Sequence, residues 1–109
     1  EKNLYAPYFA DHVLECARIV DGSVPFWLRR DMEAVVLGNR IYFRENAYQS
    51  RTARGVELLG HELTHVEQFN AGMTIWHYLW ASRWGYGNNH YEIEACARAA
   101  EIRRSCSGL

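Results

Sequence analysis

The segment His61-Glu62-Leu63-Thr64-His65 constrains this chain more than any other part of it. On an α-helix, two histidines four residues apart lie on one face, one turn above each other, and are close enough to share a metal ion. Glu62 would lie beside that pair, where a carboxylate can take a proton from a metal-activated water. The spacing therefore predicts a helix that carries a zinc site and a general base.

The motif lies inside a long segment in which apolar residues recur with the period of an α-helix. We predict a central helix over about residues 52–71, with Thr52 as its N-cap and Gly72 as the residue that follows its end. Apolar residues that recur every three or four positions would face the core: Val56, Leu59, Leu63 and Val66. The two histidines lie on the adjoining face, so the site would border the core.

Two helical segments are predicted near the start of the chain. The first covers about residues 7–20, with Phe9, Val13 and Val20 on one face, and Asp21-Gly22 would end it. A short second piece would begin at Pro25 and reach Leu28.

The next part of the chain has the residue pattern of β-strands. Ala34–Leu37 and Arg40–Phe43 are rich in β-branched and aromatic residues, and two residues, Gly38-Asn39, separate them. This spacing is typical of a β-hairpin with a primed turn. Residues 46–52 are then predicted to form a loop that leads to the central helix.

Two more helices are predicted after Gly72. Thr74 can cap one that reaches about Trp84, and residues 85–89 would form a turn. Asn89 can cap a last helix over about residues 90–104, with Glu92 at the N3 position of a capping-box-like pair.

A stripe of indoles marks the first of these two helices, where Trp76, Trp80 and Trp84 recur every four residues. Such stripes are usually core. The wall of a substrate cleft and a docking surface for a partner are the alternatives. The loops 46–52 and 83–89 are the predicted borders of such a cleft.

Composition limits the remaining classes of protein. A net charge of −1 and twelve scattered Lys and Arg residues argue against a nucleic-acid partner. No apolar run approaches the roughly 18 residues of a membrane span. The length of 109 residues suits one domain, 1–109, and the start at Glu1 rather than Met suggests a processed form or an excised domain. Three cysteines, Cys16, Cys96 and Cys106, give no even disulfide framework, so their pairing stays open.

A catalytic zinc ion usually takes three protein ligands and a water, so the two histidines need a third partner. The downstream candidates are His77, His90, Glu92 and Glu94. His77 does not fit the distance of the third histidine in the metzincin pattern, and Gln68 stands where that pattern has a glycine. Glu92 and Glu94 belong to the last helix, which could fold back against the central one, and both stay open.

Several segments together resemble the eCIS core domain family, a group of small bacterial metallopeptidase-like domains often encoded with extracellular contractile injection systems. These segments are Gly38-Asn39-Arg40-Ile41-Tyr42-Phe43, Ala47-Tyr48 and Leu58-Leu59-Gly60-His61-Glu62-Leu63-Thr64-His65-Val66-Glu67-Gln68. Tyr91-Glu92-Ile93-Glu94-Ala95 is similar to the family's closing Glu-x-Glu-Ala-Asp segment, which other minimal gluzincins share. The resemblance covers about residues 25–100.

The resemblance implies a gluzincin-type zinc metallopeptidase in which Zn²⁺ is bound by His61, His65 and Glu92 and Glu62 is the general base. It implies an α+β fold: a small, mainly helical, zincin-like domain with a short β-hairpin packed on the active-site helix. Cys96 departs from the pattern, because many gluzincins carry there an Asp that supports a zinc-bound histidine.

The resemblance leaves the second oxyanion donor open among Tyr86, His90, Tyr91 and His77. The expected partners are a peptide or protein substrate and flanking domains or components of an assembly. The family also implies a bacterial protein that leaves the cytoplasm. The alternative functions are a non-catalytic zinc-binding adaptor or scaffold and a toxin-like effector of a secreted assembly.

Overall fold

The computed structural model describes residues 2–26, 28, 32–48, 52–74 and 88–105. The helices in this part of the chain are α1 (Lys2–Tyr5), α2 (Asp11–Cys16), α3 (Ala53–Asn70) and α4 (His90–Ser105). The strands are β1 (Arg18–Asp21), β2 (Ala34–Leu37) and β3 (Arg40–Phe43). The structure is a small α+β fold, as the sequence predicted.

The three strands form one sheet in the order β1-β3-β2. β2 and β3 pair antiparallel with Leu37 opposite Arg40, which leaves the two-residue turn Gly38-Asn39 between them. Gly38 has a φ of +66°, a left-handed value that suits the first central residue of a primed turn. The predicted hairpin is therefore confirmed in its strands and in its turn.

The predicted first helix, residues 7–20, is confirmed only over Asp11–Cys16 and is wrong at both ends. Helix α2 ends at Cys16, and Arg18–Asp21 forms β1, which pairs parallel with β3. Arg18 donates its backbone N–H to the carbonyl of Asn39 at 2.8 Å. Ile19 and Val20 are β-branched, which favours a strand. The backbone partners of this strand come from the distant hairpin, so the local sequence pattern could not predict them.

The short helical piece predicted from Pro25 is also not observed among the described residues. Leu28 donates its N–H to the carbonyl of Pro25 at 3.1 Å, which closes a turn, and Leu28 is buried while Phe26 is fully exposed. Trp27 and residues 29–31 lie outside the described part of the chain.

Helix α3 lies between the sheet and α4 and supplies the centre of the core. Its inward residues are the predicted ones, and they are all buried: Val56, Leu59, Leu63 and Val66. From the sheet, Ile41 and Phe43 of β3 are completely buried, and from α4 so is Ile102. The apolar face of α3 is thus held on both sides, and this fixes the direction in which its histidines point.

Both long helices begin at the predicted caps. The Thr52 hydroxyl accepts the N–H of Gly55 at 2.9 Å, and Gly72, just after α3, has a left-handed φ of +111°. At the start of α4, the Asn89 side chain accepts the N–H of Tyr91 at 2.9 Å. These caps set the first turn of each helix.

Gly60 allows α3 and α4 to lie close together. A Cβ atom at this position would stand 2.9 Å from the buried Ile102 Cδ1, tighter than carbon atoms tolerate. The close approach occurs one residue before His61, so it brings α4 near the first histidine of the motif.

The helix predicted over 74–84 and its stripe of Trp76, Trp80 and Trp84 lie outside the described residues. Within the described residues, no helix is long and apolar enough to cross a membrane.

We predict that Thr52→Ala lowers the free energy of unfolding by about 1 kcal/mol, because it leaves the Gly55 N–H without its cap. The melting temperature should fall by roughly 4 °C in a domain of this size. Thr52→Ser keeps the hydroxyl and should stay close to the wild type. Equal melting temperatures for the Ala and Ser variants in calorimetry would contradict this account of the cap.

Candidate metal centre

Helices α3 and α4 bring three predicted ligands to one point. The Nε2 atom of His61 lies 2.9 Å from Oε1 of Glu92, and Nε2 of His65 lies 3.1 Å from Oε2 of the same carboxylate. One ligand atom from each of the three residues lies within 4.8 Å of the others. The four-residue spacing on α3 places both imidazoles on one face of the helix, as predicted, and both lie opposite one side chain of α4.

This donor set fits a divalent cation. Zinc binds imidazole nitrogen and carboxylate oxygen at about 2.0–2.2 Å in a tetrahedral arrangement, so its ligand atoms stand roughly 3.4 Å apart. The distances around Glu92 are already close to that value and need only side-chain adjustment. Imidazole also suits other transition metals, so the geometry shows a group that could bind a metal ion but does not identify which metal.

The carboxylate that completes the group is strongly buried. Glu92 is 4% exposed and His65 is 6% exposed. Burial alone would lower the pKa of His65, but its hydrogen bond to Glu92 and the charges of Glu92 and Glu62 outweigh burial and raise it. The histidine and the carboxylate therefore stabilise each other's charged forms, and a cation would take the place of the shared proton.

Glu94, the competing ligand in the sequence, points elsewhere. Its Oε1 atom accepts the Gln68 side-chain N–H at 2.7 Å, and the residue is exposed. The structure therefore groups Glu92, and not Glu94, with the two histidines.

Two of the four candidate oxyanion donors lie at the start of α4. His90 is exposed, Tyr91 is half-buried, and their rings contact each other with centroids 4.0 Å apart. His77 and Tyr86 lie outside the described residues. The choice among the four stays a prediction.

Glu62 lies on the wall of an open cleft of about 340 Å³ next to the three-residue group. The residues that line the cleft come from α3, from α4 and from the position just before β2: Glu33, Arg54, Glu57, Leu58, His61, Glu62, Cys96 and Ala99. Burial raises the pKa of Glu62, the two imidazoles lower it, and the charge of Glu92 raises it, which leaves the pKa above its ordinary value. A carboxylate with these neighbours can exchange a proton with a molecule in the cleft.

Each histidine has a second neighbour at its other ring nitrogen. The Nδ1 atom of His65 lies 2.8 Å from Oε1 of Gln68, three residues further along α3. The Nδ1 atom of His61 lies 3.8 Å from the sulfur of Cys96, one turn after Glu92 on α4. The family resemblance implied that the residue at Cys96 lies beside a zinc-bound histidine. The contact of Gln68 with His65 was not predicted, although the two residues are only three positions apart.

Cys96 gives His61 only weak support, because a thiol is a poor hydrogen-bond acceptor. Partial burial of the sulfur and the charges of Glu92, Glu57 and Glu62 raise the pKa of Cys96, so the thiol keeps its proton. Among the described residues Cys16 and Cys96 are both free thiols, while Cys106 lies outside them.

We predict that Cys96→Asp tightens zinc binding by up to about tenfold, because a carboxylate would accept the His61 Nδ1–H and fix the ring. Cys96→Ser, which adds no charge, should leave the affinity within about twofold of the wild type. Competition with a chromophoric chelator measures both values. Unchanged or weaker binding by Cys96→Asp would show that the sulfur does not occupy the supporting position.

Comparison with known proteins identifies the family. A family model described as the eCIS core domain matches residues 8–73, more than half of the chain. The match begins earlier than the resemblance in the sequence, contains both histidines and Gln68, and ends before Glu92. No curated protein and no solved structure matches the chain. This chain, with its paired histidines inside the matched segment, belongs to the eCIS core domain family.

Proposed function

We propose that the protein is a zinc-dependent peptidase of the gluzincin type, with His61, His65 and Glu92 as metal ligands and Glu62 as the general base. The observation that carries the proposal is the convergence of two imidazole nitrogens and one buried carboxylate beside a cleft whose wall contains Glu62. Membership of the eCIS core family supports it through the motif, which lies inside the matched residues.

The roles of the side chains follow from their positions. Zinc held by these three groups would supply Lewis acidity and a water with a pKa of about 7. Glu62 takes the proton of the attacking water and delivers it to the leaving amine. Glu92 faces each of the two histidines with one oxygen. Its negative charge therefore lies where it can stabilise protonated imidazoles or a bound metal ion.

The cleft suits an extended peptide better than a bulky folded substrate, because it is open and small. Two of its carboxylates are already paired with arginines: Glu33 with Arg54, and Glu57 with Arg103. Substrate choice in so small a cleft would depend on flanking domains or assembly partners, and the family suggests such partners.

We expect Glu92→Gln to weaken zinc binding by more than the roughly 10- to 100-fold that typically follows loss of a group supporting a ligand. The amide keeps the size of the side chain but removes the charge and one acceptor. Glu101→Gln is the matched control, since it makes the same change at an exposed position of the same helix. Equal zinc affinities for the two variants would refute Glu92 as a ligand.

Glu62→Gln should reduce kcat for peptide cleavage by about 10²- to 10⁴-fold and leave zinc affinity nearly unchanged, because it removes the general base and not a ligand. Glu57→Gln changes a carboxylate on the same cleft wall and should retain most of the activity. A fluorogenic peptide library, assayed with and without chelator, measures both effects. Full activity of Glu62→Gln would exclude the base role.

A non-catalytic adaptor or scaffold is the second candidate, and one observation favours it. Among the described residues no buried side-chain nitrogen or oxygen lacks a hydrogen-bond partner, so the His61–Glu92–His65 group is satisfied as an ion-pair network. One zinc per chain without turnover of any peptide would support this function. Cleavage of a single protein target, with no activity on peptide libraries, would instead support a toxin-like effector.

A further inference from the structure

We propose that Gln68 and Glu94 are positioning residues for the metal centre. Gln68 fixes the ring of His65 and the start of α4, and Glu94 fixes Gln68. The proposal rests on the metal site proposed above, and it gives Glu94 a role other than that of a ligand. It is carried by the hydrogen bonds of one buried amide.

The orientation of the Gln68 amide follows from the chemistry of its neighbours. Its Nε2 atom lies 2.9 Å from the carbonyl oxygen of Tyr91 and 2.7 Å from Oε1 of Glu94. A carbonyl oxygen and an ionised carboxylate can each only accept a hydrogen bond, so the NH₂ group of the amide must face them. The oxygen of the amide then faces His65.

This orientation of the amide requires a hydrogen on the Nδ1 atom of His65. Gln68 Oε1, 2.8 Å from Nδ1 of His65, can only accept, so Nδ1 must donate. The other nitrogen, Nε2, is the atom that faces Glu92. A histidine whose Nδ1–H is held in this way presents Nε2 to a cation with the ring already oriented.

The same amide also positions the third ligand. Tyr91 directly precedes Glu92, and Glu94 follows two residues later, so the two bonds of Gln68 Nε2 bracket Glu92 on the first turn of α4. Gln68 is only 6% exposed, so water does not readily replace these bonds. One side chain of α3 therefore holds one ligand on its own helix and another on the facing helix.

The second contact of Glu94 strengthens this arrangement. Its Oε2 atom lies 4.0 Å from the Arg98 guanidinium, one turn along α4, and Arg98 also pairs with Glu67 of α3 at 3.1 Å. The carboxylate that contacts Gln68 thus also lies within ion-pair distance of a cation that bridges the two helices.

Zinc affinity, measured by chelator competition, tests the roles of both residues. Gln68→Leu removes the acceptor and the donor together and should weaken binding by about 10- to 100-fold. Gln68→Glu keeps an acceptor for His65 but loses the hydrogen-bond donor to α4, so its zinc affinity should fall less than that of Gln68→Leu. Glu101→Gln, an exposed change of the same kind on α4, is the control and should bind like the wild type.

A double variant tests the link between the two positions. Gln68→Glu combined with Glu94→Gln places the donor on α4 and the acceptor on α3, so the hydrogen bond can form in the reverse direction. We expect the double variant to recover at least half of the affinity, on a logarithmic scale, that Gln68→Glu loses. No recovery would overturn the role of Glu94, and a Gln68→Leu affinity within twofold of the wild type would overturn that of Gln68.

A measurement on the metal-free protein separates this proposal from the proposed function. Long-range ¹H–¹⁵N correlation spectra should show a hydrogen-bonded, slowly exchanging Nδ1 proton on His65 in the wild type, and its loss in Gln68→Leu. If the wild type binds no metal, the proposed function fails, and this proton still decides the orientation of His65. If Gln68→Leu does not fold, Glu94→Ala replaces it and should cause a severalfold loss of affinity with faster exchange of the same proton; wild-type values for both would overturn the proposal.

Discussion

The approach of α4 to α3 is the constraint on which the candidate site depends. Gly60 lets Ile102 pack directly against the backbone of α3, and this contact holds α4 where Glu92 reaches both imidazoles. A buried carboxylate is costly unless opposite charge and hydrogen bonds compensate it. The helix contact and the charge network therefore support each other: packing brings the carboxylate in, and the histidines make its burial tolerable.

The parts that the sequence predicted well are those set by local signals. Thr52 and Gly72 mark the ends of α3, Asn89 marks the start of α4, and Gly38 marks the hairpin turn, each through a conformational need that few residues meet. The paired histidines follow from the helical period alone. Glu92 could be favoured over Glu94 only by resemblance, because the sequence does not show how α4 is rotated against α3.

The parts that were wrong or missed depend on distant partners. Val20 continues the apolar spacing of Phe9 and Val13, so the local pattern favoured one long helix, yet its backbone pairs with β3 more than 20 residues later. In the sequence, Gln68 was noted only because it stands where the metzincin pattern has a glycine. Its hydrogen bonds could not be predicted from the sequence, because they depend on the carbonyl of Tyr91 and the carboxylate of Glu94 lying opposite it in the tertiary fold.

The division of the ligands between two separate stretches of chain has a thermodynamic consequence. A cation bound by His65 and Glu92 would link two positions that are separated by 26 residues of sequence, as a cross-link does. A covalent cross-link over such a loop is worth about 3–4 kcal/mol through the entropy of the unfolded chain. Binding to the folded state alone would add further stability as the free metal concentration rises. The local concentration of the ion would then set how firmly α4 stays docked, and the stability of the folded domain would follow the supply of that ion.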